Sequence, residues 1–157
     1  MINLIGTYEC KIDAKGRFML PVAFKKQLSP ALQQGFVLKR AVFQKCLEVY
    51  PLEEWNKLSQ KVNALNRFNK KNDEFIRRFN AGVKMIEVDA SGRFLVPKDL
   101  LGFAQLKKEL VVNAAINILE VWDKSLYEKA IDDATSDFGD LAEEVMGGQN
   151  DVPDGLS

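Results

Sequence analysis

The sequence predicts an α+β protein made of one unit written twice. The first sign is a repeat. "GTYECKIDAKGRFMLP" at 6–21 and "GVKMIEVDASGRFLVP" at 82–97 share seven identical residues in sixteen positions. Gly6, Asp13, Ala14, Gly16, Arg17, Phe18 and Pro21 recur as Gly82, Asp89, Ala90, Gly92, Arg93, Phe94 and Pro97. The second sign is that apolar and polar residues alternate before each Asp-x-x-Gly turn, with the period of half-buried strands. The third is that amphipathic stretches of helical period follow the strand-like segments. The likeness resumes where "CLEVYPLEEW" (46–55) lies over "ILEVWDKSLY" (118–127), the offset falling from 76 to 72. A shorter loop in the second copy accounts for that change, so each copy is a whole unit of about fifty residues.

Within a unit the elements follow in order. Cys10 and Ile12, or Ile86 and Val88, mark a first strand. "DAKG" and "DASG" are turns, because Asp can bond its own backbone further on and Gly accepts a positive φ without steric cost. "RFMLP" and "RFLVP" are second strands ended by proline, and "VAFKKQL" and "KDLLGFAQL" supply one or two helical turns beside it. "FVLKRAVFQKCLEVY" and "ELVVNAAINILEVW" are each a pair of strands about a turn. The helix after the first pair carries Leu52, Trp55, Leu58, Val62 and Leu65 at the spacing of one buried face. The link "RFNKKNDEFIRRFNAG" predicts another, with Phe75, Ile76 and Phe79 inward and Arg77 and Arg78 outward. The resulting division is a first repeat over 1–55, inter-repeat helices over 56–81 and a second repeat over 82–127. A C-terminal helix, weakening at Gly139, then covers 128–146, followed by an acidic, disordered tail at 147–157.

Composition excludes several functions. The chain has no histidine and two cysteines, Cys10 and Cys46, which read as small core residues; zinc-type ligand sets and imidazole triads are absent from the sequence. No phosphate-cradling loop or other cofactor motif occurs, and the scattered carboxylates name no reaction, so neither an enzyme nor a small-molecule substrate is expected. No apolar run approaches the roughly 18 residues of a membrane span, and the N-terminus lacks a secretory pattern, so a cytoplasmic protein is expected. The formal net charge is zero, yet residues 1–85 balance at +9 and residues 86–157 at −9. Such asymmetry hints at a polyanion-binding region with an acidic end.

The twinned turn can be read as scaffold: Asp and Arg four positions apart can pair and fix a hairpin, contributing little if exposed. Duplication alone would also copy it. What duplication does not explain is that the neighbouring segments "VAFKKQL" and "KDLLGFA" have diverged while Asp, Gly and Arg stand in both turns. Scaffold turns tolerate many residues, and a charged arginine kept twice favours a role in binding.

The doubled Asp-x-x-Gly-Arg turn, followed by an aromatic and a strand-ending proline, resembles the MraZ family, with tandem domains of the AbrB/SpoVT swapped-hairpin type. The resemblance runs from "GTYECKIDAKGRF" through "CLEVYPLEEW" and "GVKMIEVDASGRFLVP" to "ILEVWDKSLYEKA". It implies that two AbrB-like units form one pseudo-twofold β-barrel flanked by helices. It also implies a nucleoid-associated, ring-shaped homo-oligomer that regulates transcription of the bacterial division and cell-wall gene cluster by binding repeated sites in double-stranded promoter DNA. In that reading Arg17 and Arg93 contact DNA, Lys15 and Lys11 add phosphate contacts, and Asp13, Gly16, Asp89 and Gly92 shape the turns. Lys15 stands where the second copy has Ser91, which sets the halves apart. Lys25, Lys26, Lys39 and Arg40 are candidates for DNA contact by charge alone, with surface solvation the favoured account of each; Arg67, Lys70, Lys71, Arg77 and Arg78 read as a solvated helix face, with subunit contact second. Trp55, Phe68, Phe75, Phe79 and Trp122 are assigned to core or interface. The alternative is an antitoxin-type interaction module that engages a protein through the acidic C-terminal region.

Overall fold

The computed structural model describes residues 2–135 and 137–147. The acidic tail expected at 147–157 lies, past Gly147, outside the described residues. The first repeat gives β1 (Thr7–Lys11), β2 (Arg17–Met19), α1 (Val22–Gln27), β3 (Phe36–Arg40) and β4 (Leu47–Pro51). Two helices follow, α2 (Leu52–Asn63) and α3 (Lys70–Asn80), the latter capped by Asn69 Oδ1, which accepts from the Asn72 N–H at 3.2 Å. The second repeat gives β5 (Lys84–Ile86), β6 (Arg93–Leu95), α4 (Lys98–Ala104), β7 (Glu109–Ala115) and β8 (Ile118–Asp123). The chain ends its described part in α5 (Lys124–Thr135) and α6 (Phe138–Gly147).

The chain divides after Lys124 into two compact units. In the first, an antiparallel six-stranded sheet runs β1-β7-β8-β4-β3-β5, and β2 pairs with β6 in a separate two-stranded ribbon. The repeats exchange strands: β1 of the first lies on β7 of the second, β5 of the second on β3 of the first. The barrel expected from the resemblance is not closed. β1 and β5 end the sheet without pairing with each other, because each initial hairpin bends at its turn and sends its second strand out to meet its counterpart in the ribbon. The Ile12–Phe18 bridge ties ribbon to sheet.

The core forms where both surfaces are apolar. Phe18 and Phe94 project inward from the ribbon, their ring centroids 5.7 Å apart, and Phe36 of β3 meets Phe94 edge-on at 5.2 Å. Leu20, Phe24, Leu38, Leu47 and Leu100 complete it, all fully buried. A second cluster sets Val37, Tyr50 and Ile118 against Leu52, Trp55 and Leu58 of α2. Cys46 is buried, and burial pushes its thiol far above the ordinary range; Cys10 is half-buried, its thiol pushed up to about 11.

Three expectations need correction. Phe75 is 45% exposed; Phe79, stacked on Trp55 at 5.6 Å, supplies the buried contact of α3. Lys39 is buried: its ammonium donates to the Arg40 carbonyl at 2.5 Å, lies 3.8 Å from Glu48 and sits over the Phe79 ring, while desolvation lowers its pKa. The C-terminal helix breaks before Gly139, which lies inside α6. Asp137, whose backbone carbonyl accepts from the Leu141 N–H at 2.9 Å, opens α6.

Candidate nucleic-acid interface

Both turns are built by the same four hydrogen bonds. Asp13 Oδ1 accepts from the backbone N–H of Lys15 and of Arg17, each at 2.9 Å, while Asp13 N–H donates to the Arg17 carbonyl and Gly16 N–H to the Asp13 carbonyl. Asp89 repeats this with Ser91, Arg93 and Gly92. The carboxylates are thus committed to shaping the backbone. The Arg17 N–H foremost holds Asp13 below the usual carboxylate range, against some desolvation, and Arg93 does the same for Asp89. Positive charge from both arginines adds to the lowering at each Asp, so the turns share one electrostatic neighbourhood. Gly16 and Gly92 sit at φ +89° and +84°, where any side chain is strained.

The ribbon then fixes where the arginines stand. Its register sets Arg17 opposite Leu95, Phe18 opposite Phe94 and Met19 opposite Arg93. Successive side chains alternate between faces, so with the phenylalanines inward, Arg17, Met19, Arg93 and Leu95 share the outward face. Met19 and Leu95 are exposed, and the two arginines are half-exposed. Diagonal neighbours of this kind stand on the order of 7–8 Å apart. Arg93 Nε lies 3.4 Å from Asp89 Oδ2.

Not every expected residue joins them. Lys15 is exposed at the first turn's tip. Lys11 ends β1 in the other sheet, in register with Glu109, and is not brought onto the ribbon. Lys25, a candidate by charge alone, does arrive there: its Nζ approaches Met19 Sδ at 3.4 Å and overlies Gly92. The signal for it was in the repeat, since at the offset of 76 Lys25 aligns with Leu101 just as Lys15 aligns with Ser91.

Arg40 is not free surface either, its guanidinium stacking on Phe103 at 4.9 Å. A cleft of about 870 Å³, lined by Phe43, Lys45, Phe75, Arg78 and Phe103 among others, takes in neither turn. Among the described residues no cluster of His, Cys, Asp or Glu is placed to hold a metal ion, and no helix is long and apolar enough to cross a membrane.

Both halves of the chain match one family model, described as "MraZ protein, putative antitoxin-like", over residues 4–78 and 79–147. Among curated relatives, a protein of Christiangramia forsetii named Transcriptional regulator MraZ is 66% identical across the full length of both chains. Its namesake from Flavobacterium psychrophilum is 62% identical, again over the whole of both. That of Cytophaga hutchinsonii is 38% identical over 90% of this chain and 93% of its own.

Proposed function

The chain belongs to the MraZ family, and from that premise we propose that it is a sequence-specific, DNA-binding transcriptional regulator whose reading head is the β2–β6 ribbon. One observation carries this: Arg17 and Arg93, from different repeats, are half-exposed diagonal neighbours on the outward face of a two-stranded ribbon. Three-residue strands make a ribbon about 10 Å long, and the major groove, about 12 Å wide, admits a two-stranded ribbon. A guanidinium there can take a bidentate bond to guanine or clamp a phosphate.

The palindromic strand order supports a pseudo-twofold arrangement, since exchanging each strand for its repeat equivalent returns the same sequence of strands. One ribbon offers few contacts, and a ring-shaped homo-oligomer multiplies them on repeated promoter sites through avidity. We place its targets in the division and cell-wall gene cluster and the protein in the cytoplasm, on the nucleoid. The proposed units are the repeats at 1–55 and 82–127, joined by helices over 56–81 and followed by the C-terminal α5 and α6 with an acidic tail. Footprinting of the DNA upstream of its own gene tests this reading. Regularly spaced protected sites are expected; no protection at physiological salt would remove it.

A second reading, an antitoxin-type interaction module, draws on α6, where Phe138, Leu141, Val145 and Met146 are exposed beside Asp140, Glu143 and Glu144. Purification from native cells without a stoichiometric partner would count against it.

A further inference from the structure

We propose that Lys25 completes the second turn as a site for a DNA phosphate, supplied to that turn by the other repeat. The inference rests on the ribbon reading and extends it. α1 starts directly after Pro21, and the Leu20 N–H donates to the Gly92 carbonyl at 3.1 Å, which lays the end of β2 against the second turn. Lys25, fourth residue of α1, is thereby carried over Gly92. The absence of a Cβ at Gly92 makes the room: one there would stand 2.8 Å from Lys25 Cε and collide with Nζ.

The first turn is built differently. There Leu101, the counterpart of Lys25, brings its Cδ1 to within 3.4 Å of the Cβ position of Gly16. Two exchanges therefore offset each other. The first turn carries its own Lys15 and packs an apolar Leu101 over Gly16; the second carries Ser91 and packs a cationic Lys25 over Gly92. Each end of the ribbon carries one arginine and one lysine. The asymmetry between Lys15 and Ser91 is thus removed in space although it stands in the sequence.

Lys25 also has donors to spare. Its side chain meets a thioether, a weak acceptor, and among the described residues no carboxylate lies within ion-pair distance of it. An ammonium beside a guanidinium suits a phosphodiester: the lysine supplies a point charge, while Arg93, whose Nε faces Asp89, offers its terminal nitrogens to a base edge or a second phosphate oxygen.

The test uses the full chain and DNA from upstream of its own gene, titrated across a salt series. Lys25→Met keeps the alkyl stem over Gly92 and removes the charge. It is expected to weaken binding roughly fivefold per engaged site near 0.15 M salt, as one lost phosphate contact should, and to make the salt dependence shallower. Lys15→Met should do the same. Adding Ser91→Lys to Lys25→Met should restore both affinity and salt slope. Unchanged binding by Lys25→Met, or a loss confined to Lys25→Ala, would overturn the proposal and leave Lys25 as packing on Gly92. If Arg17→Ala and Arg93→Ala abolish selective binding while Lys25→Met leaves both affinity and salt slope unchanged, the ribbon reading stands and this inference alone fails.

Discussion

Asp13 and Asp89 are where residue chemistry and stability meet. Each accepts two backbone N–H bonds through one oxygen, and each has its pKa lowered from 3.8 in consequence. A carboxyl whose folded pKa is depressed contributes stability that is present above its unfolded value and lost as pH falls through the folded one. Thermal unfolding followed from pH 7 downward should therefore show a loss below pH 3.8 that is smaller in the Asp13→Asn, Asp89→Asn double variant, whose amide oxygens still accept but do not titrate. An unaltered acid limb would show that the turns do not set it. The glycines follow from the same backbone. Gly16→Ala places a side chain at φ +89° with its Cβ 2.9 Å from the Val96 carbonyl oxygen, and should cost at least about 1–2 kcal/mol in a denaturant titration. The proposed reading gives the arginines to DNA binding instead. Arg17→Ala and Arg93→Ala should each lose about 1–3 kcal/mol of discrimination against scrambled DNA while the unfolding midpoint barely moves.

At the scale of elements, the ribbon is anchored by its inward pair. Phe18, 2% exposed and packed against Phe94, should cost about 3–5 kcal/mol when replaced by alanine, whereas Met19→Ala, on the outward face, should cost little. Chemical denaturation separates the two. This scale also shows what the sequence could and could not say. The turns were legible because their bonds span four residues, and the strands beside them because alternation is local. The pairing of β2 with β6 was not, since that ladder joins residues some seventy-six apart and no periodicity names a distant partner. Closure of the barrel was expected from resemblance and fails because the hairpins fold out at those same turns. Charge alone made Lys25 a candidate no different from its neighbours on a short helix; only the ribbon brings it to Gly92. Lys39 was not legible as buried. Its charge argued for solvent, while the Arg40 carbonyl, Glu48 and the Phe79 ring give it partners indoors.

For the whole molecule, exchange of strands between repeats makes each half depend on the other. Neither repeat alone contains a complete six-stranded sheet or both strands of the ribbon. In the proposed reading the neutral total charge is no obstacle, because binding depends on local potential, and the ribbon with its flanking turn and helix carries Arg17, Arg93, Lys15 and Lys25. Four such contacts from one chain would give a slope of log affinity against log salt of about −3.6. An assembly that engages several ribbons should give a steeper one, and native mass measurement should find a species several times the mass of a single chain. A monomer with a slope no steeper than about −3.6 would contradict the ring. The sharpest comparison remains the affinity of the purified protein for the DNA upstream of its own gene, against a scrambled control at physiological salt, with wild type and the Arg17→Ala, Arg93→Ala double variant side by side. The ribbon reading predicts selective binding by the wild type, lost in the variant with its assembly intact. Equal selective binding by both, or none by the wild type, would contradict it and leave the twinned turn as scaffold.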